Sequence, residues 1–367
     1  MSKNKKVVVG MSGGVDSSVT ALLLKQQGFD VIGLFMRNWE YGIKGSLCPN
    51  RIEFEDAKKV GALIGIEVRG KDFVKEYRDR VFDVFLEGLK QGLTPNPDIL
   101  CNKEIKFNVF LNEAKSMGAD MIATGHYAKI AKYKDHFVLD TPKDNTKDQS
   151  YFLHALSSEQ LSHAMFPLGD LTKKEVREIA REHNLPVSDK KDSTGICFIG
   201  NQKFDEFITQ HLKAIPGDIL DENGKVIGKH KGLVCYTLGQ RKGIGLGGIK
   251  GNESENNTHK PWFVALKDVV NNTLTIVQDT NHPLLMSKNV EASHMHWVLE
   301  EAPKVGDKLM AQVRYRQQKQ ACTVVVASAE KVVVEFDNPQ RAVTLGQSLV
   351  LYSGDYCLGG GFISYYK

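Results

Sequence analysis

The apolar positions fall into two regimes. In the first, Lys6 to Met11, Val31 to Met36, Ile66 to Arg69 and Ala119 to Thr124 read as short buried strands. Between them, Ser17 to Gln27, Ile52 to Ile64, Phe73 to Gln91 and Glu104 to Met117 read as helices. The third of these puts Tyr77, Val81, Phe82, Phe85 and Leu89 at helical spacing. Gly28 stands where the first helix has to stop. Strands alternating with helices of this length predict an α/β fold: a Rossmann-like layer with a parallel sheet and crossover helices.

After about Gly200 the pattern changes. Strand-like segments shorten, glycine becomes frequent (Gly224, Gly228, Gly232, Gly239, Gly243, Gly245, Gly247, Gly248), and Gly251 to Lys260 is a polar loop. From about Val290 the chain reads as alternating β: Lys308 to Tyr315, Gln320 to Ala327, Lys331 to Phe336 and Ser348 to Tyr352. That spacing predicts a small β-barrel or sandwich. Three domains are expected, over residues 1–200, 201–282 and 283–367, and no internal repeat stands out.

Composition narrows the class only slightly. The 367 residues are 41% hydrophobic and 25% charged, ordinary for a globular protein, with no apolar run of membrane-spanning length. The basic start, Met1 to Lys6, runs straight into a strand with no signal-peptide core after it, so a cytoplasmic location and no membrane association are expected. A net charge of +4 permits a polyanionic partner without requiring one. The cysteines Cys48, Cys101, Cys197, Cys235, Cys322 and Cys357 form no C-x-x-C pair. A zinc ribbon or thioredoxin-like motif is therefore disfavoured, and no metal-ligand set is assigned.

The first chemical signal is Gly10-Met11-Ser12-Gly13-Gly14-Val15-Asp16-Ser17-Ser18, between the first strand and the first helix. A helix start offers unpaired N–H groups and the positive end of the helix dipole, which together make an anion site. Gly13 and Gly14 allow close backbone approach, and three serines can donate to phosphate oxygens. The loop lacks the lysine of a Walker A motif and the spacing of a dinucleotide binder. An ordinary corner capped by Asp16 or Ser17 would not need two glycines framed by three serines. Ser-Gly-Gly-Val-Asp-Ser resembles the PP-loop of ATP pyrophosphatases, which cleave ATP between the α and β phosphates and adenylate a substrate.

The second signal is Thr94-Pro95-Asn96-Pro97-Asp98-Ile99-Leu100-Cys101-Asn102-Lys103-Glu104-Ile105-Lys106. Two prolines fix an extended entry and Glu104 onward reads as helix, so Cys101 falls near a helix N-terminus with Lys103 and Lys106 close in sequence. Both features favour a thiolate, although a buried, inert thiol reads equally well. The third is Ser188 to Gly200, where Cys197 follows a polar, basic loop and precedes an apolar pair. It is either a core residue or the second member of a redox pair.

The PP-loop, Asn96 to Asn102, Gly125-His126-Tyr127, Lys147 to Tyr151, Ser193 to Gly200, Tyr236 to Gly243 and Arg314-Tyr315-Arg316 occur in an order that resembles bacterial tRNA-specific 2-thiouridylases over most of the chain. The resemblance implies ATP, with Mg²⁺, held by Gly10, Met11, Ser12, Gly13, Gly14, Val15, Asp16 and Ser17. Met36 would lie against the adenine and Gly125 would admit the nucleotide. It implies a sulfur carried as a persulfide on Cys197, released by Cys101 with formation of a Cys101–Cys197 disulfide, and Asp98 as acid/base beside the target uridine. The implied tRNA contacts are Asn96, Pro97 and Asp98 at the flipped base, His126, Lys147, Asp148 and Gln149, then Arg314, Tyr315 and Gln347 in the β domain.

The implied partners are the tRNA anticodon stem-loop with its wobble uridine, and a persulfide relay protein or cysteine desulfurase. A reductant would reset the disulfide, and the free protein is expected to be a monomer. By their own chemistry, Arg314 to Arg316 also read as a solvated strand edge, His126 as structural, and Cys48, Cys235, Cys322 and Cys357 as packing residues. Four competitors remain. An amidotransferase-type synthetase needs an ammonia-supplying domain, and the few residues before the loop are not expected to hold one. A thiocytidine enzyme would carry C-x-x-C pairs, and a 4-thiouridine enzyme or a non-catalytic RNA-binding protein is separated only by activity.

Overall fold

The computed structural model of the chain describes residues 5–40, 49–192, 196, 198–199, 203–245, 260–299 and 301–367. Its organising strand is β1 (Lys6–Gly10), whose Val7, Val8 and Val9 are completely buried. Side chains of a strand alternate between faces, and here the alternation feeds two separate cores. Val8 packs with Tyr77, Phe85, Ile105 and Phe110 on one side, while Val7 and Val9 pack with Val19, Leu24 and Val60 on the other. A strand covered on both faces reads as one unbroken apolar run, which is why it was legible.

β1 sits inside a five-stranded parallel sheet with β2 (Asp30–Arg37), β3 (Glu67–Asp72), β4 (Met121–Ala123) and β7 (Ala164–Met165), in the order β3-β2-β1-β4-β7. The chain builds outward on one side of β1 and then crosses to the other, so the strand order reverses between β1 and β4. In open parallel sheets a crevice forms at such a reversal, beyond the carboxyl ends of the strands. Helix α1 (Val15–Gln26) leaves that end of β1 and stops at Gly28, whose φ of 86° is the left-handed conformation expected of a terminating glycine.

Two helices differ from expectation. The helix predicted from Glu104 begins at Pro97 and runs over residues 97–116. Asn96 caps it, its Oδ1 accepting from the Asp98 amide at 3.1 Å, and Pro97 occupies the first position, where a missing N–H costs nothing. Cys101 thus lies one turn inside the helix and opens a π-helical stretch, Cys101–Val109. The helix over residues 74–90 likewise widens to a π turn at Arg78–Phe82.

The middle of the chain forms a four-stranded sheet from β8 (Gly217–Leu220), β9 (Val226–His230), β10 (Phe263–Asp268) and β11 (Thr273–Val277), in the order β10-β11-β8-β9. The last third closes into a barrel: β12 (Met286–Trp297), β13 (Lys308–Gln312), β14 (Gln320–Ala327), β15 (Lys331–Arg341), β16 (Ser348–Ser353) and β17 (Tyr356–Tyr366), with β12 pairing both β15 and β17. A hairpin from the first third, β5 (Lys129–Tyr133) and β6 (His136–Asp140), joins the same sheet by pairing β6 with β17. The strand expected to reach Tyr315 ends at Gln312. The Val313 amide donates to Gln317 Oε1 at 3.0 Å and Arg316 has φ of 64°, so Arg314 and Tyr315 lie on a turn. No helix among the described residues is long and apolar enough to cross a membrane.

The barrel docks on the parallel-sheet layer through buried polar contacts. The Tyr151 hydroxyl donates to the Ser348 carbonyl at 3.1 Å and accepts from its amide at 3.2 Å, and His154 Nε2 meets Ser348 Oγ at 3.1 Å. We expect Tyr151→Phe to destabilise the protein by about 1–3 kcal/mol, because it strands polar groups in a buried seam. The check is a urea denaturation series, in which an unchanged midpoint would show that the seam does not depend on this hydroxyl.

Candidate active site

The glycine-rich loop lies at the crevice between β1 and β4. Gly14 is the N-cap of α1 and no side chain caps the helix, so neither Asp16 nor Ser17 takes the capping role that an ordinary corner would give it. Ser12 and Ser17 instead hold the loop's shape: the Ser12 amide donates to Ser17 Oγ at 3.1 Å, and Ser17 Oγ reaches the Gly14 carbonyl at 3.2 Å. Gly13 has φ of 71°, and a Cβ there would stand 2.3 Å from the Glu53 carbonyl oxygen of helix α2 (Pro49–Ile64). Glycine is therefore required twice over, by backbone conformation and by space. Met36, near the end of β2, packs toward Gly10.

Around the loop stands a network of charges that the sequence did not reveal. Lys173 Nζ lies 2.7 and 2.8 Å from the two Asp16 oxygens and 2.8 Å from Asp192. Asp192 also accepts from Arg177 at 2.7 Å and Lys147 at 3.1 Å. Partial burial pushes the Asp192 pKa up, but hydrogen bonds from Lys173 and Lys147 outweigh it and hold the carboxyl at about 2. A depressed carboxyl adds stability above its ordinary range and loses it only as pH falls through about 2, so the network persists in mild acid. Lys190 bonds the Gly13 carbonyl at 2.9 Å and Asp56 at 3.0 Å, and the Tyr127 hydroxyl donates to Asp16 at 3.0 Å. Two cations, Lys173 and Lys190, thus face the helix start, and Lys147 and Arg177 stand behind them on Asp192.

One short segment joins this loop to the cysteine helix. A Cβ on Gly125 would lie 2.9 Å from the Asp16 carbonyl carbon and the Ser17 nitrogen, so β4 runs out directly against the first turn of α1. The next residue, His126, is buried and meets Lys106 of the helix over residues 97–116 at 3.4 Å through Nε2 and Thr124 Oγ1 at 2.7 Å through Nδ1. Burial, reinforced by the Lys106 charge, drives its pKa well down and keeps the ring neutral. On the same helix, burial raises the Asp98 pKa while Lys106 opposes the rise. Lys103, expected to act on Cys101 like Lys106, exerts its charge on His154 and His296.

The expected tRNA-contact residues lie along the seam between the layer and the barrel. Gln347 Nε2 donates to the Thr94 carbonyl at 2.6 Å, next to Asn96 and the buried Pro97. The Tyr315 ring lies 4.2 Å from that of Phe152, whose carbonyl accepts from Asn102 at 3.0 Å. Arg314 donates to the Ala342 carbonyl at 3.1 Å, and Lys319 approaches Asp148 at 3.6 Å. Gln149 Oε1 accepts from the Tyr127 amide at 2.9 Å, on the nucleotide side.

Cys101 is buried in the core that contains Phe82, Phe85 and Phe198. Cys197 and Cys48 lie outside the described residues, so the distance between Cys101 and Cys197 is not defined here. The neighbour of Cys197, Phe198, is fully buried and packs on Phe82 at 5.1 Å and Phe85 at 5.5 Å. Cys235, Cys322 and Cys357 are buried packing residues, and burial pushes the last two up to about 12.

Sequence reasoning missed Lys173, Arg177, Lys190 and Asp192. The signal available for the first was the capping box of Thr172 and Glu175, which marks a helix start with Lys173 in its first turn. We expect Gly13→Ala to lower nucleotide affinity at least about tenfold, since a strained φ and a steric clash each cost about 1–3 kcal/mol. Equilibrium binding of a fluorescent ATP analogue tests this, and wild-type affinity would contradict the assignment of the loop.

Comparison with known proteins agrees with this architecture. Residues 5–201 match a family model described as a tRNA methyl transferase HUP domain, residues 205–278 a tRNA methyl transferase PRC-barrel domain, and residues 287–363 an aminomethyltransferase β-barrel domain. The chain is 96% identical over 367 residues to a tRNA-specific 2-thiouridylase of Aliarcobacter butzleri (strain RM4018), covering 100% of both chains. It is 53% identical over 361 residues to one from Burkholderia ambifaria, covering 98% of this chain and 93% of that one. It is also 53% identical over 364 residues to one from Ralstonia pickettii, covering 99% and 97%. A full-length match of this kind, on a fold with a glycine-rich loop at its crevice, establishes that the chain belongs to the tRNA-specific 2-thiouridylase family.

Proposed function

We propose that the protein uses ATP to replace the C2 oxygen of the wobble uridine in tRNA with sulfur. The observation that carries this reading is the contact of Gly125 with the start of α1 and of His126 with Lys106, which sets an anion-receiving loop beside the helix of Asp98 and Cys101. Methyl transfer, which the family-model descriptions name, needs neither such a loop nor a pair of thiols.

A uracil carbonyl oxygen leaves poorly, so it must first be made a leaving group. In the proposed reaction O2 attacks the α-phosphorus of ATP and pyrophosphate departs, while the N3 proton passes to Asp98. The residues fit a triphosphate: the start of α1, which no side chain caps, the serine hydroxyls, and Lys173 and Lys190, which can exchange carboxylate and carbonyl partners for phosphate oxygens. Asp16 and Asp192 would hold Mg²⁺, which supplies charge neutralisation at the phosphates. Met36 borders the loop where the adenine is proposed to lie.

Sulfur transfer then balances as follows. The terminal sulfur of a persulfide on Cys197 attacks C2 and AMP leaves with O2. The Cys101 thiolate attacks Cys197 Sγ, the original S–S bond breaks, and the new disulfide holds the two electrons' worth of oxidation that the sulfur gives up. A thiol reductant resets the pair, and a desulfurase-charged persulfide carrier reloads it. Support for the pairing comes from the apolar cluster that Cys101 shares with Phe198. The seam residues Asn96, Pro97, Asp98, Asp148, Arg314, Tyr315 and Gln347 are proposed to receive the anticodon loop, with Lys147, Gln149 and His126 behind them. Opening their present contacts would be part of binding.

We expect Cys197→Ser to abolish thiolation with tRNA affinity intact. Cys101→Ser should block turnover from persulfide and be rescued by free sulfide. Nucleoside mass analysis reads both outcomes, and normal thiolation from persulfide by either variant would reject the two-thiol scheme. Asp16→Ala should eliminate tRNA-dependent pyrophosphate release, and normal release would reject the nucleotide placement.

A further inference from the structure

Lys106 is a half-buried cation on the cysteine helix, and the reaction proposed above gives it no role. Its hydrogen-bonding partner is His126, an imidazole that burial keeps neutral, and no carboxylate forms an ion pair with it among the described residues. Burying an ammonium without a counter-ion is unfavourable, and an apolar side chain would fill the space at lower cost. The charge therefore has to be explained by what it acts on.

Helix geometry answers that. Lys106 follows Asp98 by eight positions, which at about 100° per residue leaves the two about 80° apart around an ideal α-helix. The stretch Cys101–Val109 is wound more widely, its end marked by the Phe110 amide bonding to the Ile105 carbonyl five residues back. Wider turns advance fewer degrees per residue and bring Lys106 round toward the Asp98 side. Its positive charge accordingly reaches both Asp98 and His126. An ammonium only donates, so His126 Nε2 must accept, and Nδ1 carries the hydrogen that goes to Thr124 Oγ1. From the facing element, Tyr315 senses the charges of both Asp98 and Asp148 and bonds Arg316. Lys106 is the cation whose charge acts on Asp98, opposing the effect of burial.

We propose that Lys106 is a positioning residue of the thiolation site, which governs the proton on Asp98 and fixes the tautomer of His126 beside the target base. The inference rests on the proposed role of Asp98. Without the ammonium, burial would act on Asp98 unopposed and push its carboxyl further toward the protonated form, which cannot receive the N3 proton of the uracil. With it, the carboxyl can take up that proton during activation and return it. The wide helical turns are the device that places cation and carboxyl together, and the contact with the segment after β4 ties both to the nucleotide loop.

The test combines a titration with turnover, using the full chain. Carboxyl-¹³C-labelled protein, with Asp98→Asn identifying the resonance, reports the Asp98 midpoint directly. Lys106→Met removes the charge, Lys106→Gln keeps a donor for His126 without the charge, and Lys106→Arg keeps the charge. The expected result is an Asp98 midpoint displaced upward in the Met and Gln variants and near wild type in Arg. With persulfide donor, kcat should fall at least about tenfold in Met and Gln, KM for tRNA should stay within about threefold, and Arg should recover most of the rate. An unmoved Asp98 midpoint, or a Gln variant with wild-type kcat, overturns the proposal. Wild-type protein that forms no 2-thiouridine would overturn the proposed function instead, since the titration reads the coupling without turnover.

Discussion

The arrangement of the site depends on one close contact: the backbone at Gly125 lies against the first turn of α1, nearer than any side chain would permit. A parallel sheet whose order reverses between β1 and β4 leaves a crevice there, and the width of that crevice is set by how closely the two strand exits pack. With hydrogen as the side chain, the segment after β4 can touch the glycine-rich loop with residue 125 and the cysteine helix with residue 126. The two chemistries proposed for the site, phosphate handling and thiol transfer, would thus be held in register by adjacent residues of one short segment. An alanine at 125 would push these elements apart without touching any group proposed to react.

A second coupling runs through residues 147–154. Lys147 and Gln149 face the nucleotide side, bonding Asp192 and the Tyr127 backbone, whereas Ser150, Tyr151 and His154 face the barrel at Tyr352 and Ser348. The helical part, Ser150–Leu153, is a single turn, so the two sets of contacts are made from neighbouring positions of one segment. Arg314, Tyr315 and Gln347 lie on the far side of the same seam, engaged with backbone carbonyls and the Phe152 ring. An RNA loop inserted there would exchange intramolecular contacts for intermolecular ones.

What the sequence disclosed follows from how local each determinant was. β1, β2, α1 and the stop at Gly28 depend on periodicity and a glycine, both readable within a dozen residues, and they stand where expected. The start of the helix at Pro97 was hidden by two prolines that favour an extended reading, although Asn96 followed by Pro97 is also a capping signature. Strand β17 was obscured by Gly359, Gly360 and Gly361, residues that argue against a strand until neighbours are seen. A Cβ on Gly360 would meet the Leu349 carbonyl at 2.6 Å and His154 at 2.9 Å, so glycine is what lets the barrel reach the catalytic layer. The Lys173–Asp16 pair spans 157 positions, and no local pattern can announce it. The loop and the two cysteines drew attention in the sequence because their residue types carry chemistry; Lys173 and Lys190 did not, because surface lysines look alike in sequence.

The central claim is that a thiol pair, 101 and 197, supplies the electrons for sulfur transfer beside the nucleotide loop. A single-turnover reaction decides it most directly: enzyme preloaded with persulfide, tRNA and ATP, quenched by alkylation and analysed by peptide and nucleoside mass spectrometry. The account predicts one Cys101–Cys197 disulfide formed for each 2-thiouridine, at matching rates. Thiouridine accumulating while both thiols remain alkylatable would contradict it.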